Sequence, residues 1–156
     1  MKRCLLSLFA LLLVAAMPAR AVTATNTFNV SITLNSACQV VTAPVIAFTY
    51  TSFQTTAATT SSSFNVQCTN SKSITSILLD NGSGGLATGL GQLYTDSATG
   101  LQYTLTLSGV PTAGTGTTQT VSIAGSMGSG QAGTCNAASC TNSASANATR
   151  TITISY

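Results

Sequence analysis

The chain of 156 residues has no histidine and no tryptophan, and it carries only five basic and two acidic residues. Without histidine there is no Ser-His-Asp or Cys-His activation of a nucleophile, and no histidine-based metal site. The two carboxylates are Asp80 and Asp96. Asp80 precedes Asn81-Gly82, and Asp96 sits in the stretch LYTDSATG. Both read as turn residues whose side chains bond nearby backbone amides, not as the facing pair of a glycosidase. No loop of alternating carboxylates offers a calcium site. These absences argue against an enzyme, and neither a cofactor nor a metal is expected.

The positive balance is also deceptive. Lys2, Arg3 and Arg20 lie in the first 21 residues. Beyond them, Lys72 and Arg150 balance Asp80 and Asp96, so residues 22–156 are formally neutral. Two cations neutralise too few phosphates for nucleic-acid binding, and no small-molecule substrate is expected.

Residues 1–21 read as a secretory signal. Lys2 and Arg3 open it, Leu5–Met17 is a thirteen-residue apolar run, and Ala19-Arg20-Ala21 is a small-x-small cleavage site. The run is too short to span a bilayer, which takes about 20 residues. Residues 22–156 then form one domain. An exported chain has access to disulfide chemistry. Past the leader the cysteines are Cys38, Cys68, Cys135 and Cys140. Three pairings are possible, and Cys38–Cys68 with Cys135–Cys140 is the expected one. The first closes a loop of about 30 residues, worth roughly 3–4 kcal/mol in the chain-entropy account. A four-cysteine zinc site is disfavoured because only Cys135 and Cys140 lie close together.

Short alternating runs fill the rest: Phe64, Val66 and Cys68; Tyr103, Leu105 and Leu107; Val121 and Ile123; Ile152, Ile154 and Tyr156. Turn-rich stretches separate them, at 55–63, 80–85, 108–118 and 125–147. No helical period is sustained after the leader. Several short strands between turns predict an all-β antiparallel sandwich. Gly128, Gly130 and Gly133 match G-x-G-x-x-G, but no apolar helical stripe follows, so the match is read as chance.

The sharpest alternation is Phe28, Val30, Ile32 and Leu34, with Asn29, Ser31 and Thr33 between them. A period of two is a strand with one apolar face. That face is buried either in the chain's own sandwich or in another molecule.

Several blocks in order resemble the spore coat U domain family, which includes subunits of archaic chaperone–usher pili. They are the alternating run before Cys38, the extended block with Val45, Ile46 and Phe48, SFNVQCTN around Cys68, SILLDNGSGG, LYTDSATG, and the closing TRTITISY. The family often has a glycine-x-tyrosine-x-aspartate approach to its last strand, and here NATRTITISY stands instead. The Cys135/Cys140 loop also lies outside the common pattern.

The resemblance implies an incomplete immunoglobulin-like antiparallel β-sandwich of the pilin type that lacks its last strand. It implies that Phe28, Val30, Ile32 and Leu34 form a donor strand for a neighbouring copy or related subunit. Ile152, Ile154 and Tyr156 would form the last intrinsic strand. The implied partners are a periplasmic chaperone, an outer-membrane usher and neighbouring subunits. The implied route is export to the periplasm and then to the cell surface, or secretion. The alternatives are a non-polymerising secreted or coat protein of the same fold, or a binding module that presents loop 125–147 as a tip.

Overall fold

In the computed structural model the described residues are 23–142 and 149–156. The expected signal peptide, residues 1–21, lies outside them, as do residues 143–148 of the expected tip loop. The chain divides into two units, residues 1–34 and residues 35–156. In the first, the described residues 23–34 form no strand and are exposed.

The second unit is an antiparallel β-sandwich, and no helix occurs among the described residues. Its strands are β1 (Cys38–Val40), β2 (Ala58–Cys68), β3 (Ser76–Leu79), β4 (Gly91–Thr95), β5 (Gln102–Ser108), β6 (Thr118–Met127) and β7 (Ile152–Ser155). Five form one sheet in the order β1-β2-β6-β5-β4, and β3 and β7 form a second. The ladder from β2 to β6 is the longest, running from Ala58 opposite Met127 to Gln67 opposite Thr118.

This ladder corrects two boundaries read from sequence. The stretch 55–63 is not all turn, because β2 begins at Ala58. The stretch 125–147 is not all loop, because β6 runs through Met127. Thr59, Thr60 and Ser61–Ser63 look like loop by composition. Threonine nevertheless favours strands, and β6 supplies every one of these residues with a partner. Strand β3 lies in the SILLDNGSGG block, outside the alternating runs read from sequence, yet Ile77 and Leu79 are among the most buried side chains.

The core lies between the sheets. Phe64 and Val66 of β2, Leu105 and Leu107 of β5, and Val121 and Ile123 of β6 meet Ile77 and Leu79 of β3. In β2, β5 and β6 these alternate with less buried residues, Asn65, Thr106 and Ser122 among them, as a one-sided sheet requires. Both expected disulfides form, Cys38–Cys68 across the β1–β2 ladder and Cys135–Cys140 within a loop. The fold is the immunoglobulin-like sandwich that the sequence predicts.

Replacing Cys38 and Cys68 together with alanine is expected to lower the unfolding free energy by roughly 3–4 kcal/mol. A denaturant titration measures this, and an unchanged midpoint would contradict it.

Candidate functional site

The β3–β7 sheet is where the sandwich is unfinished. Among the described residues strand β7 pairs only with β3, in the register Leu79 opposite Ile152 through Ser76 opposite Ser155. Half the backbone groups of a strand point to each side, so among those residues the other side of β7 is an open edge. Its four residues are all only half-buried, including Ile152 and Ile154, which pack on the core. Tyr156, assigned to this strand from sequence, lies one residue beyond it and is half-exposed, with the Lys72 ammonium 5.4 Å from its ring centre.

A second backbone stretch is equally unpaired. Val41 still donates to the Asn65 carbonyl at 2.8 Å. From Ala43 to Thr49 no backbone hydrogen bond forms among the described residues. Yet Pro44, Ile46, Phe48 and Tyr50 are half-buried, while Val45, Ala47 and Thr49 are exposed. That is strand periodicity without a strand partner. Strand amides normally find a partner, and none is found here among the described residues.

A cavity of about 410 Å³ opens beside it. Ile46, Phe48, Leu101, Leu105 and Met127 give it an apolar lining, and Asp96, Thr99, Asn142 and Arg150 a polar one. Gly125 makes room for Phe48. A Cβ there would stand 2.6 Å from Phe48 Cζ and 3.0 Å from Thr60 Cγ2. Sequence reading placed Gly125 in a loop and missed this role.

The start of β7 is clasped to the other sheet. The Arg150 guanidinium lies 4.4 Å from the centre of the Tyr94 ring, and its Nε donates to the Tyr103 hydroxyl at 2.9 Å. The two tyrosines stack, with centroids 5.2 Å apart. Tyr94 donates to the Asp80 carbonyl at 2.7 Å, and the Asp80 carboxylate accepts from the N–H of Thr151 at 2.6 Å and of Gly82 at 2.8 Å. Burial, with Asp80 nearby, pushes the Tyr94 phenol well above its usual range. Burial also raises Tyr103, against the opposing pull of Arg150. Both rings stay neutral.

Asp96 is buried, at 4 % exposure. Its Oδ2 accepts from the Thr99 N–H at 2.8 Å and the Thr99 hydroxyl at 2.7 Å. Both carboxylates are thus turn residues, 80 tied also to β7 and 96 also to the cavity wall. Burial alone would raise the Asp96 pKa. The Thr99 hydroxyl, the Asn142 side chain and the N–H groups of Thr99 and Ala98 outweigh it and hold the carboxyl below its ordinary 3.8.

The stretch 125–147, turn-rich by sequence and a binding tip in one alternative, is partly a wall. Tyr50 donates through its hydroxyl to the Gly128 carbonyl at 2.9 Å and accepts from the Gln131 N–H at 2.9 Å. The Gln131 amide closes two bonds on the Gln102 backbone, at 2.6 and 2.9 Å, as a neighbouring strand would. Thr134 donates to the Thr99 carbonyl at 2.6 Å. Residues 128–133 follow β6, but no helix follows them up to Asn142, so the glycine match lacks the setting a dinucleotide needs.

Phe28, Val30, Ile32 and Leu34 are 86, 70, 86 and 78 % exposed. They join no ladder among the described residues.

The architecture defines an immunoglobulin-like sandwich left open along its last strand. The chain belongs to the Spore Coat Protein U domain family, whose model matches residues 24–154. No curated protein and no solved structure matches it significantly.

Two measurements follow. Gly125→Val should displace Phe48 and cost about 1–3 kcal/mol through overpacking. It should also shift the NMR signals of the Tyr103 ring, whose centre lies 5.7 Å from that of Phe48. Because the Asp96 pKa is lowered by folding, its carboxylate contributes stability above pH 3.8 that is lost as pH falls through the folded value. Thermal unfolding of the wild type should therefore drop below that pH more steeply than that of Asp96→Asn.

Proposed function

We propose that the protein is a structural subunit of a secreted surface fibre, a pilus, in which each copy completes the sandwich of the next by donating residues 28–34. The observation that carries this reading is the pairing of two deficits. One is an exposed arm with Phe28, Val30, Ile32 and Leu34 on one face. The other is an open β7 edge and a ladder-free stretch at 43–49, with Arg150, just before β7, lining the same cavity as Ile46 and Phe48. Strand addition satisfies both at once. Four such side chains, at roughly 1.5–3 kcal/mol each, contribute on the order of 10 kcal/mol before ordering costs.

Chain length favours donation to a neighbour over self-closure. Only residues 35–37 separate Leu34 from Cys38. A fold-back across them sets Leu34 opposite Cys38 and Phe28 opposite Pro44. It extends the β1 edge and leaves Ile46–Tyr50 uncovered.

In this reading the chain passes through the periplasm after removal of its leader, where the two disulfides fit the oxidising conditions. A chaperone covers the open edge until an outer-membrane usher exchanges it for the next subunit. The role is structural, in adhesion or biofilm formation, and no residue acts as a catalyst.

Deleting residues 22–34 should leave a subunit that still binds a chaperone but forms no polymer, read by gel filtration and electron microscopy. Fibres built from the truncated chain would refute the reading.

A further inference from the structure

Oδ2 of Asp96 is satisfied by Thr99, but Oδ1 is buried with no hydrogen-bond partner. Asn142 and Ala98 favour the anion from nearby without closing a bond on Oδ1. A buried acceptor left open calls for an explanation, and this one belongs to the wall of the cavity beside residues 46–50.

We propose that Asp96 Oδ1 accepts a hydrogen bond from the polar side chain that ends the apolar face of a second copy's inserted arm, and so sets the register of insertion. The inference rests on the strand-donation reading above. Counting by twos from Phe28 and Leu34, the inward face ends in Asn26 on one side and Ser36 on the other. Both offer a neutral donor, an amide N–H or a hydroxyl. Asn26 uses its Oδ1 to accept from the Thr27 N–H at 2.9 Å, and its amide nitrogen makes no hydrogen bond among the described residues.

Arg150, at the cavity, precedes β7. An arm running in the same direction as β7 therefore brings Asn26 to Asp96, and one running against it brings Ser36.

Such a device is needed because alternation alone is an incomplete register code. A slip of one residue turns Asn29, Ser31 and Thr33 inward and is penalised. A slip of two keeps every apolar side chain inward and is tolerated by the apolar walls. In one direction such a slip sets Phe28 or Leu34 against Oδ1 and buries a charged oxygen with no donor. Asp96 thus discriminates against a slip, in that direction, that periodicity permits.

The test uses the full chain and a fluorescent peptide of residues 23–36. Failure of this peptide to bind the wild-type chain would overturn the donation reading itself. Asp96→Asn keeps an oxygen for Thr99 and replaces the open acceptor with an N–H2 donor. It should bind the wild-type peptide about tenfold or more weakly. A peptide carrying Asn26→Asp or Ser36→Asp should recover binding to Asp96→Asn and lose it to the wild type, and the position that swaps reports the strand direction. Equal binding of all peptides to both chains would overturn the register proposal and leave donation standing. Should Asp96→Asn not fold, peptides with Asn26→Ala or Ser36→Ala are decisive on the wild-type chain. One must weaken by about tenfold, and two unchanged affinities overturn the proposal.

Discussion

Every strand offers hydrogen bonds to both sides, and among the described residues β7 is paired on one of them. The fold is organised around this shortfall. Where β2 is flanked by β1 and β6, and β5 by β6 and β4, β7 has β3 alone. The core inherits the asymmetry. Phe64, Val66 and Val121 under the larger sheet are fully buried, while Ile46, Phe48, Ile152 and Ile154 remain half-covered. An edge of this kind is a hazard in a free protein, because any extended chain can pair with it. The proposed strand donation would cover it. The long β2–β6 ladder and the Arg150 clasp on Tyr94 and Tyr103 support the sandwich around it.

The scarcity of charge has a matching logic. Among the described residues, three of the four charged side chains are committed to the fold. Asp80 bonds the backbone of Gly82 and Thr151, Asp96 bonds Thr99, and Arg150 lies over two tyrosines. Lys72 lies near the Tyr156 ring. A surface of threonine, serine and asparagine sets up little long-range repulsion between copies, which suits close and repeated contact.

Much of this was legible in the sequence because a one-sided sheet writes itself as alternation. Phe64/Val66, Leu105/Leu107 and Val121/Ile123 were read as strands and are the core. What was hidden depended on partners distant in the chain. Ser61–Ser63 look like loop until β6 lies beside them. Gly125 looks like a turn until Phe48 crosses it. Asp96 reads as a turn residue, and it is one, but nothing local shows that its second oxygen is closed off within a cavity wall. Arg150 gave no local signal, because its meaning comes from Tyr94 and Tyr103, which lie some fifty residues earlier in the chain.

The bond between Cys38 and Cys68 acquires a mechanical meaning when the arm is considered as a tether. Tension applied through residues 28–34 arrives at Cys38 after three intervening residues. There the load crosses a covalent link directly into β2, the strand with the longest ladder in the molecule. The three residue pairs of β1 are thereby bypassed and cannot be peeled off in sequence. In the proposed fibre such a load would enter β2 next to its ladder with β6, which runs from Gln67 opposite Thr118 to Ala58 opposite Met127.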